Sequence, residues 1–139
     1  MVTLEVMRES NARIGTSLPA GLVAVFVGAT SGIGETTLRQ FSKQARNPRV
    51  YFLGRRETEG RRIEAELKEI NPDGEFYYVQ ADVSLLKNVD QACRSIRQRE
   101  SKVNLLFLSS GTLISGKRRH SPLLHHYTLP SPYYLYAMM

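Results

Sequence analysis

A short apolar strand that breaks straight into closely spaced glycines constrains this chain more than any other stretch. Residues 22–34 read LVAVFVGATSGIG. Leu22, Val23, Val25, Phe26 and Val27 form an apolar, largely β-branched run that is too short to cross a membrane and is bounded by glycines at both ends. A run without polar alternation reads as a central strand of a parallel sheet, covered on both faces. Gly28, Gly32 and Gly34 then recur as G-x-x-x-G-x-G. That spacing allows a tight turn, lets backbone come close to a diphosphate and lets the following helix lie against the strand. The unpaired N–H groups at the helix start favour an anion, so the stretch predicts a nucleotide pocket; the alternative is an ordinary loop between strand and helix.

The chain then repeats this alternation. Leu38, Phe41 and Ala45 fall on one face of a helix whose stop signal is Asn47-Pro48. A second strand is predicted over residues 50–54 and a charged helix over 57–70, where Ile63, Leu67 and Ile70 make an i, i+4, i+7 stripe. Asn71-Pro72-Asp73-Gly74 is a strong turn before a third strand over 76–80. Ser84 is a candidate cap for a further helix on which Val89, Cys93 and Ile96 share an inner face while Lys87, Arg94 and Arg97 point outward. Residues 103–108 read as a fourth apolar strand ending in Ser109-Ser110-Gly111. The order β-α-β-α-β-α-β predicts an α/β fold with a parallel sheet. Right-handed crossovers give strand order 3-2-1-4, with a cleft at the carboxyl ends where the order reverses between strands one and four.

With 139 residues and 42% hydrophobic content the chain has material for one domain and one core. The expected organisation is an N-terminal arm over 1–21, a nucleotide-binding unit over 22–112 and an irregular tail over 113–139. The arm mixes single apolar residues with Ser10, Asn11, Thr16, Ser17 and Pro19, and reads as irregular with a short extended piece over 3–6. A net charge of +6 and a pI near 9.7 permit attraction to nucleic acid or acidic membranes, but the basic residues are scattered over several helices and one short run. They read as solvated faces, with no nucleic-acid partner. Cys93 is the sole cysteine, which excludes an internal disulfide and a cysteine metal cluster. No apolar leader or spanning run is visible, so a cytoplasmic protein without a membrane partner is expected.

On these residues the chain resembles the short-chain dehydrogenase/reductase family, in the manner of its fungal secondary-metabolism members. The family's cofactor turn T-G-x-x-x-G-x-G stands here as Val27-Gly28-Ala29-Thr30-Ser31-Gly32-Ile33-Gly34, with only the threonine replaced. The likeness extends over residues 20–112. It runs through Asp82-Val83, where the family places an acid that holds the adenine amino group, to Ser109-Ser110-Gly111, where it usually has an Asn-Asn-Ala-Gly turn. The resemblance implies a Rossmann-like sheet, oxidoreductase chemistry on a carbonyl or alcohol, and cofactor contacts at Gly28, Thr30, Ser31, Gly32, Ile33, Gly34, Arg55, Arg56, Asp82, Val83, Ser110 and Gly111. For Asp82 the competing reading is an acid favourable to the dipole of the next helix. The serines at 109 and 110 are also read as a plain strand end.

An NAD enzyme would carry Asp or Glu at the end of strand two to accept from the ribose 2′-hydroxyl. This chain has Gly54-Arg55-Arg56. A guanidinium binds a 2′-phosphate bidentately and stacks on adenine, so NADP(H) is the expected cofactor; the alternative is two solvated arginines opening the next helix.

The resemblance stops after Gly111. The family continues to an active-site serine and a Y-x-x-x-K helix, but no tyrosine here has lysine four residues on, and Lys117 is the last lysine. No general acid is therefore assigned. Residues 116–139 read GKRRHSPLLHHYTLPSPYYLYAMM, without helical or strand period and without an acid after Glu100. His120, His125 and His126 lack an accompanying Asp, Glu or Cys and are not read as a metal site. Lys117, Arg118 and Arg119 beside tyrosines make too small a patch for single-strand binding. The abrupt change of composition suggests a truncated or frame-shifted product, inactive alone, whose uncovered fourth strand invites self-association. A non-catalytic nucleotide-binding module and a vestigial chain without a stable fold remain the alternatives.

Overall fold

The computed structural model of the chain describes residues 2–111. In chain order it comprises α1 (Leu4–Ala12), α2 (Ile14–Ser17), β1 (Val23–Val27), α3 (Gly32–Gln44), β2 (Arg49–Gly54), α4 (Glu57–Ile70), β3 (Glu75–Gln80), α5 (Leu86–Arg97) and β4 (Leu105–Leu108). The strands form one parallel four-stranded sheet in the order β3-β2-β1-β4, as the alternation predicted. Val27 pairs with both Leu53 and Leu108, so the three central carboxyl ends finish level.

Strand alternation divides the core in two. Val23, Val25 and Val27 face α5, where Val89, Ala92, Cys93 and Ile96 are buried against them. Ala24 and Phe26 face the other way, onto Leu38 of α3 and Ile63 and Leu67 of α4. Each large aliphatic or aromatic side chain buried in these layers contributes roughly 1.5–3 kcal/mol, which is why β1 is buried at every position. Cys93 is a core residue. Outside this core, Arg39 and Arg62 bridge Glu35 of α3 and Glu66 of α4, tying the two helices on their solvent side.

Particular boundaries depart from the sequence reading for physical reasons. The N-terminal residues are helical, not irregular: Thr3 caps α1 by accepting from the Val6 amide, Glu5 sits in the first turn, and no residue of α1 is buried. Without packing to impose an extended shape, local propensity and capping decide. α3 stops at Gln44, ahead of Asn47-Pro48, because the Asn71 side-chain amide donates to the Ser42 and Ala45 carbonyls, each at 2.9 Å, and closes the helix end. Ile70 lies 41% exposed, so the α4 stripe ends at Leu67. Ser84 does not cap α5; the cap is Leu85, with no side-chain bond, since the Ser84 hydroxyl is spent on Asp82. β4 begins at Leu105, two residues later than expected, because Asn104 turns its side chain onto the sheet: its Oδ1 accepts from the Val23 amide at 2.9 Å while its own amide donates to the Val23 carbonyl. The tail over 113–139, with its histidines, tyrosines and Lys117-Arg118-Arg119, lies outside the described residues.

At the amino ends of the strands, Glu100 accepts from the Tyr51 hydroxyl at 2.9 Å and from Arg49 at 2.8 Å, fixing the segment after α5 to β2. The edge strand β3 is closed differently. The Glu64 carboxylate of α4 accepts from the Tyr78 backbone amide at 3.0 Å. β4 has one strand neighbour, β1, among the described residues.

Candidate functional site

The residues singled out from the sequence all follow the carboxyl ends of the four parallel strands, along one rim of the sheet. Gly28 to Gly34 join β1 to α3, Arg55 and Arg56 follow β2, Asp82 and Val83 follow β3, and Ser110 and Gly111 follow β4. The order of the strands reverses between β1 and β4, and a rim at such a reversal is where open α/β sheets form a crevice.

The three glycines of the turn serve different needs. Gly28 has φ +80, and a Cβ there would stand 2.7 Å from the Ser110 amide nitrogen and 2.9 Å from its Cα, so the turn runs directly beneath the β4 exit. Gly34 has no room for a side chain, because a Cβ would overlap the Gly28 carbonyl oxygen and the Ser109 hydroxyl. Gly32 has φ +59 and open space where a Cβ would stand, at the first turn of α3. Ser31, the α3 cap, makes no side-chain capping bond, and Ile33 projects outward, 78% exposed. The first-turn amides and the Ser31 hydroxyl thus border open space, which suits an anion at a helix start.

Ser109 backs this turn, a role the sequence reading did not assign. Its amide donates to the Val27 carbonyl at 2.9 Å, and its hydroxyl lies 3.1 Å from the carbonyl oxygens of Val27 and Gly28. A hydroxyl has one hydrogen to donate, and Val27 already has the amide, so Gly28 is the acceptor left to serve. Thr30 packs its side chain on Gly54, where any Cβ would overlap it, and so links the glycine turn to the end of β2.

Past the ends of β2 and β3, Arg55, Gln80, Asp82, Asn88, Gln91 and Ser95 line a cavity of about 490 Å³ between β3 and α5. The Ser84 backbone amide and hydroxyl both donate to Asp82 Oδ1, at 3.0 and 2.7 Å. These bonds fall on one oxygen and leave Oδ2 for another donor. The Ser84 hydroxyl chiefly holds the Asp82 carboxyl below its ordinary value; burial opposes this, and the Ser84 amide and the Arg55 charge add to it. The spacing Asp82-x-Ser84 was the available signal for this turn, since Asp commonly accepts from the backbone two residues on. Asn88 donates to the Asp82 carbonyl at 3.1 Å and fixes the start of α5 against the same loop. Arg56 is the α4 cap position, exposed and without a side-chain capping bond, and is not among the residues lining the cavity. Among the described residues no group of three or more His, Cys, Asp or Glu is placed to hold a metal, and no helix is long and apolar enough to cross a membrane.

Comparison with known proteins identifies the family of the chain. The chain is 44% identical over 121 residues to oxidoreductase AN1596 of Emericella nidulans, covering 87% of this chain and 36% of that protein. It is 39% identical over 117 residues to oxidoreductase andH of Emericella variicolor, covering 84% of this chain and 34% of that protein. The chain therefore spans about a third of the length of the curated relatives it matches. Among solved structures it resembles L-sorbose reductase from Gluconobacter frateurii, complexed with NADPH and L-sorbose, with a TM-score of 0.61 and 27% identity over 67% of this chain and 34% of that one. The family model described as short chain dehydrogenase matches residues 22–124, from the first strand to beyond the β4 exit, and the chain belongs to that family.

Proposed function

We propose that residues 22–111 bind NADP(H) and supply the cofactor half of an oxidoreductase acting on a carbonyl or alcohol substrate. The observation that carries this reading is the cavity shared by Arg55 and Asp82 at the rim where the glycine turn opens. A guanidinium at the end of β2 favours a 2′-phosphate that an acid would repel, and it can lie on a purine face. The free oxygen of Asp82 suits an amino group on that purine, with Val83 beside it. The first-turn amides of α3, from Ser31 to Gly34, would hold the diphosphate, and the space beside Gly32 fits that use. Gly28 and Thr30 shape the turn, Arg56 adds charge after β2, and Ser110 and Gly111 border the site from β4. When bound, the dinucleotide supplies the hydride; the residues of this chain bind and orient it. The NADPH complex of the similar L-sorbose reductase supports the cofactor assignment.

A polypeptide of these 139 residues by itself is proposed to bind without turnover. Proton transfer to or from the substrate oxygen needs a positioned acid or base, worth roughly 10²- to 10⁴-fold. The sequence offers no Y-x-x-x-K to supply one. Such a polypeptide is also proposed to self-associate through the edge of β4 that pairs with no strand among the described residues, which size-exclusion chromatography checks. A clean monomer would refute that part. The cofactor assignment is tested by fluorescence titration with NADPH and NADH. Wild type should prefer NADPH and Arg55→Asp should reverse the order; equal affinities, or an unchanged order in the variant, refute it. Turnover is tested by NADPH consumption against a panel of ketones and aldehydes, with Gly32→Val as the control. Glycine-dependent consumption would refute the binding-only reading.

A further inference from the structure

We propose that Tyr78 and Gln80 of β3 are positioning residues for nucleotide selection, because they fix the Gly54 carbonyl that ends β2 and the Arg55 carbonyl after it, and hence the point from which Arg55 leaves the sheet. The proposal rests on the assignment of Arg55 to a 2′-phosphate.

Tyr78 and Gln80 are two apart on β3; Tyr78 packs on the side covered by α3 and α4, and Gln80, at the end of the strand, also borders the cavity beside α5. The Tyr78 hydroxyl donates to the Gly54 carbonyl at 2.8 Å, and the Gln80 side-chain amide donates to the next carbonyl, that of Arg55, at 3.2 Å. Gly54 already accepts the ladder bond from the Ala81 amide at 2.9 Å, so sheet pairing does not require the tyrosine hydroxyl. The second bond fixes the direction of that carbonyl, at the residue where the strand ends and Arg55 begins.

The tyrosine is itself held in place. Its ring lies tilted against Phe52 with centroids 5.4 Å apart, and it rests on Gly60 of α4, where any Cβ would overlap the ring. The backbone amide of the same residue donates to Glu64 at 3.0 Å. A rigid aromatic strut thus runs from α4 and β3 to the β2 exit, and Thr30 meets Gly54 from the glycine-turn side. An exposed arginine has many rotamers. Anchoring its backbone from two sides narrows where the guanidinium can reach, which matters for a bidentate partner and not for a ligand without the phosphate.

The test uses two fragments of the dinucleotide, 2′,5′-ADP and 5′-AMP, titrated calorimetrically against the 139-residue chain, with a thermal melt on each sample. Tyr78→Phe keeps the ring on Gly60 and Phe52 and removes only the hydroxyl. It should weaken 2′,5′-ADP about threefold to tenfold and leave 5′-AMP within about twofold. Gln80→Ala, at an exposed side chain that also lines the cavity, should lower the ratio of 2′,5′-ADP to 5′-AMP affinity by less than Tyr78→Phe does, and that ratio serves as the readout should the tyrosine variant fail to fold. An equal loss on both fragments means general support of the fold and overturns the proposal, as does no loss on either. Arg55→Ala is run in parallel. If it leaves the ratio of the two affinities unchanged, the assignment of Arg55 has failed; if it abolishes the ratio while Tyr78→Phe and Gln80→Ala do not change it, the strut has failed and Arg55 stands.

Discussion

A Cβ on Gly34 would overlap the hydroxyl of Ser109, so the first turn of α3 and the exit of β4 touch with nothing between them. The same Cβ would overlap the Gly28 carbonyl oxygen, which is backbone and cannot swing away. Gly34→Ala should therefore destabilise the fold by about 1–3 kcal/mol, as overpacking of a close-packed contact does. Removing the hydroxyl in addition, with Ser109→Ala, should not restore stability. Denaturant unfolding of the single and double variants checks this.

Gly32 should behave in the opposite way. Its Cβ position is open and only its φ of +59 is unfavourable, so Gly32→Ala should cost about 1–2 kcal/mol of backbone strain and leave the fold intact. Its affinity for NADPH should fall sharply, because the side chain enters the space assigned to the diphosphate. Circular dichroism and cofactor titration on the same sample separate the two effects; unchanged affinity would remove the glycine turn from the site.

Asp82 gives an acid-side expectation. Its carboxyl is held below the ordinary value near 3.9, first of all by Ser84, so the folded state favours the ionised form more than the unfolded chain does. That contribution is present above the unfolded value and fades as pH falls through the lowered one. Ser84→Ala should raise the Asp82 titration midpoint and move the acid limb of the stability curve upward. A carbon-detected carboxyl titration by nuclear magnetic resonance reads it directly.

Tyr51 contributes to the alkaline limit, alongside the raised phenols of Tyr77 and Tyr78. Burial, then the bond to Glu100, pushes its phenol up to about 12, against about 10 in an unfolded chain. The raised value means that its contribution is complete below about pH 10 and is lost as pH rises towards 12. Tyr51→Phe should flatten stability against pH across this window, measured by urea unfolding with a phenolate absorbance trace alongside.

Strand order was legible from the β-α alternation and its right-handed crossovers, and the inner helix faces because burial enforces periodicity: Leu38, Ile63 and Leu67, and Val89, Cys93 and Ile96, follow helical spacing. The rim residues were legible in position, since each follows a strand end. The cross-links were not. Ser109 reaching Gly28, Asn71 closing α3, and Tyr78 reaching Gly54 join residues 24 to 81 positions apart, and no local pattern encodes such a meeting. α1 was missed because the reading looked for a buried face that it does not have, while Thr3 and Glu5 carried the helix signal.

The closure of the β3 edge by Glu64 has a consequence in time. Glu64 lies 14 positions ahead of the amide it accepts from, so during synthesis the stopper leaves the ribosome before the strand it seals. One outward amide of β3 thus has its acceptor already made when the strand is synthesised, at a stage when unpaired strands are prone to misassembly. β4 is made last of the four strands and is added to the far side of β1, so the sheet first grows from β1 through β2 to β3 and then extends at its opposite side.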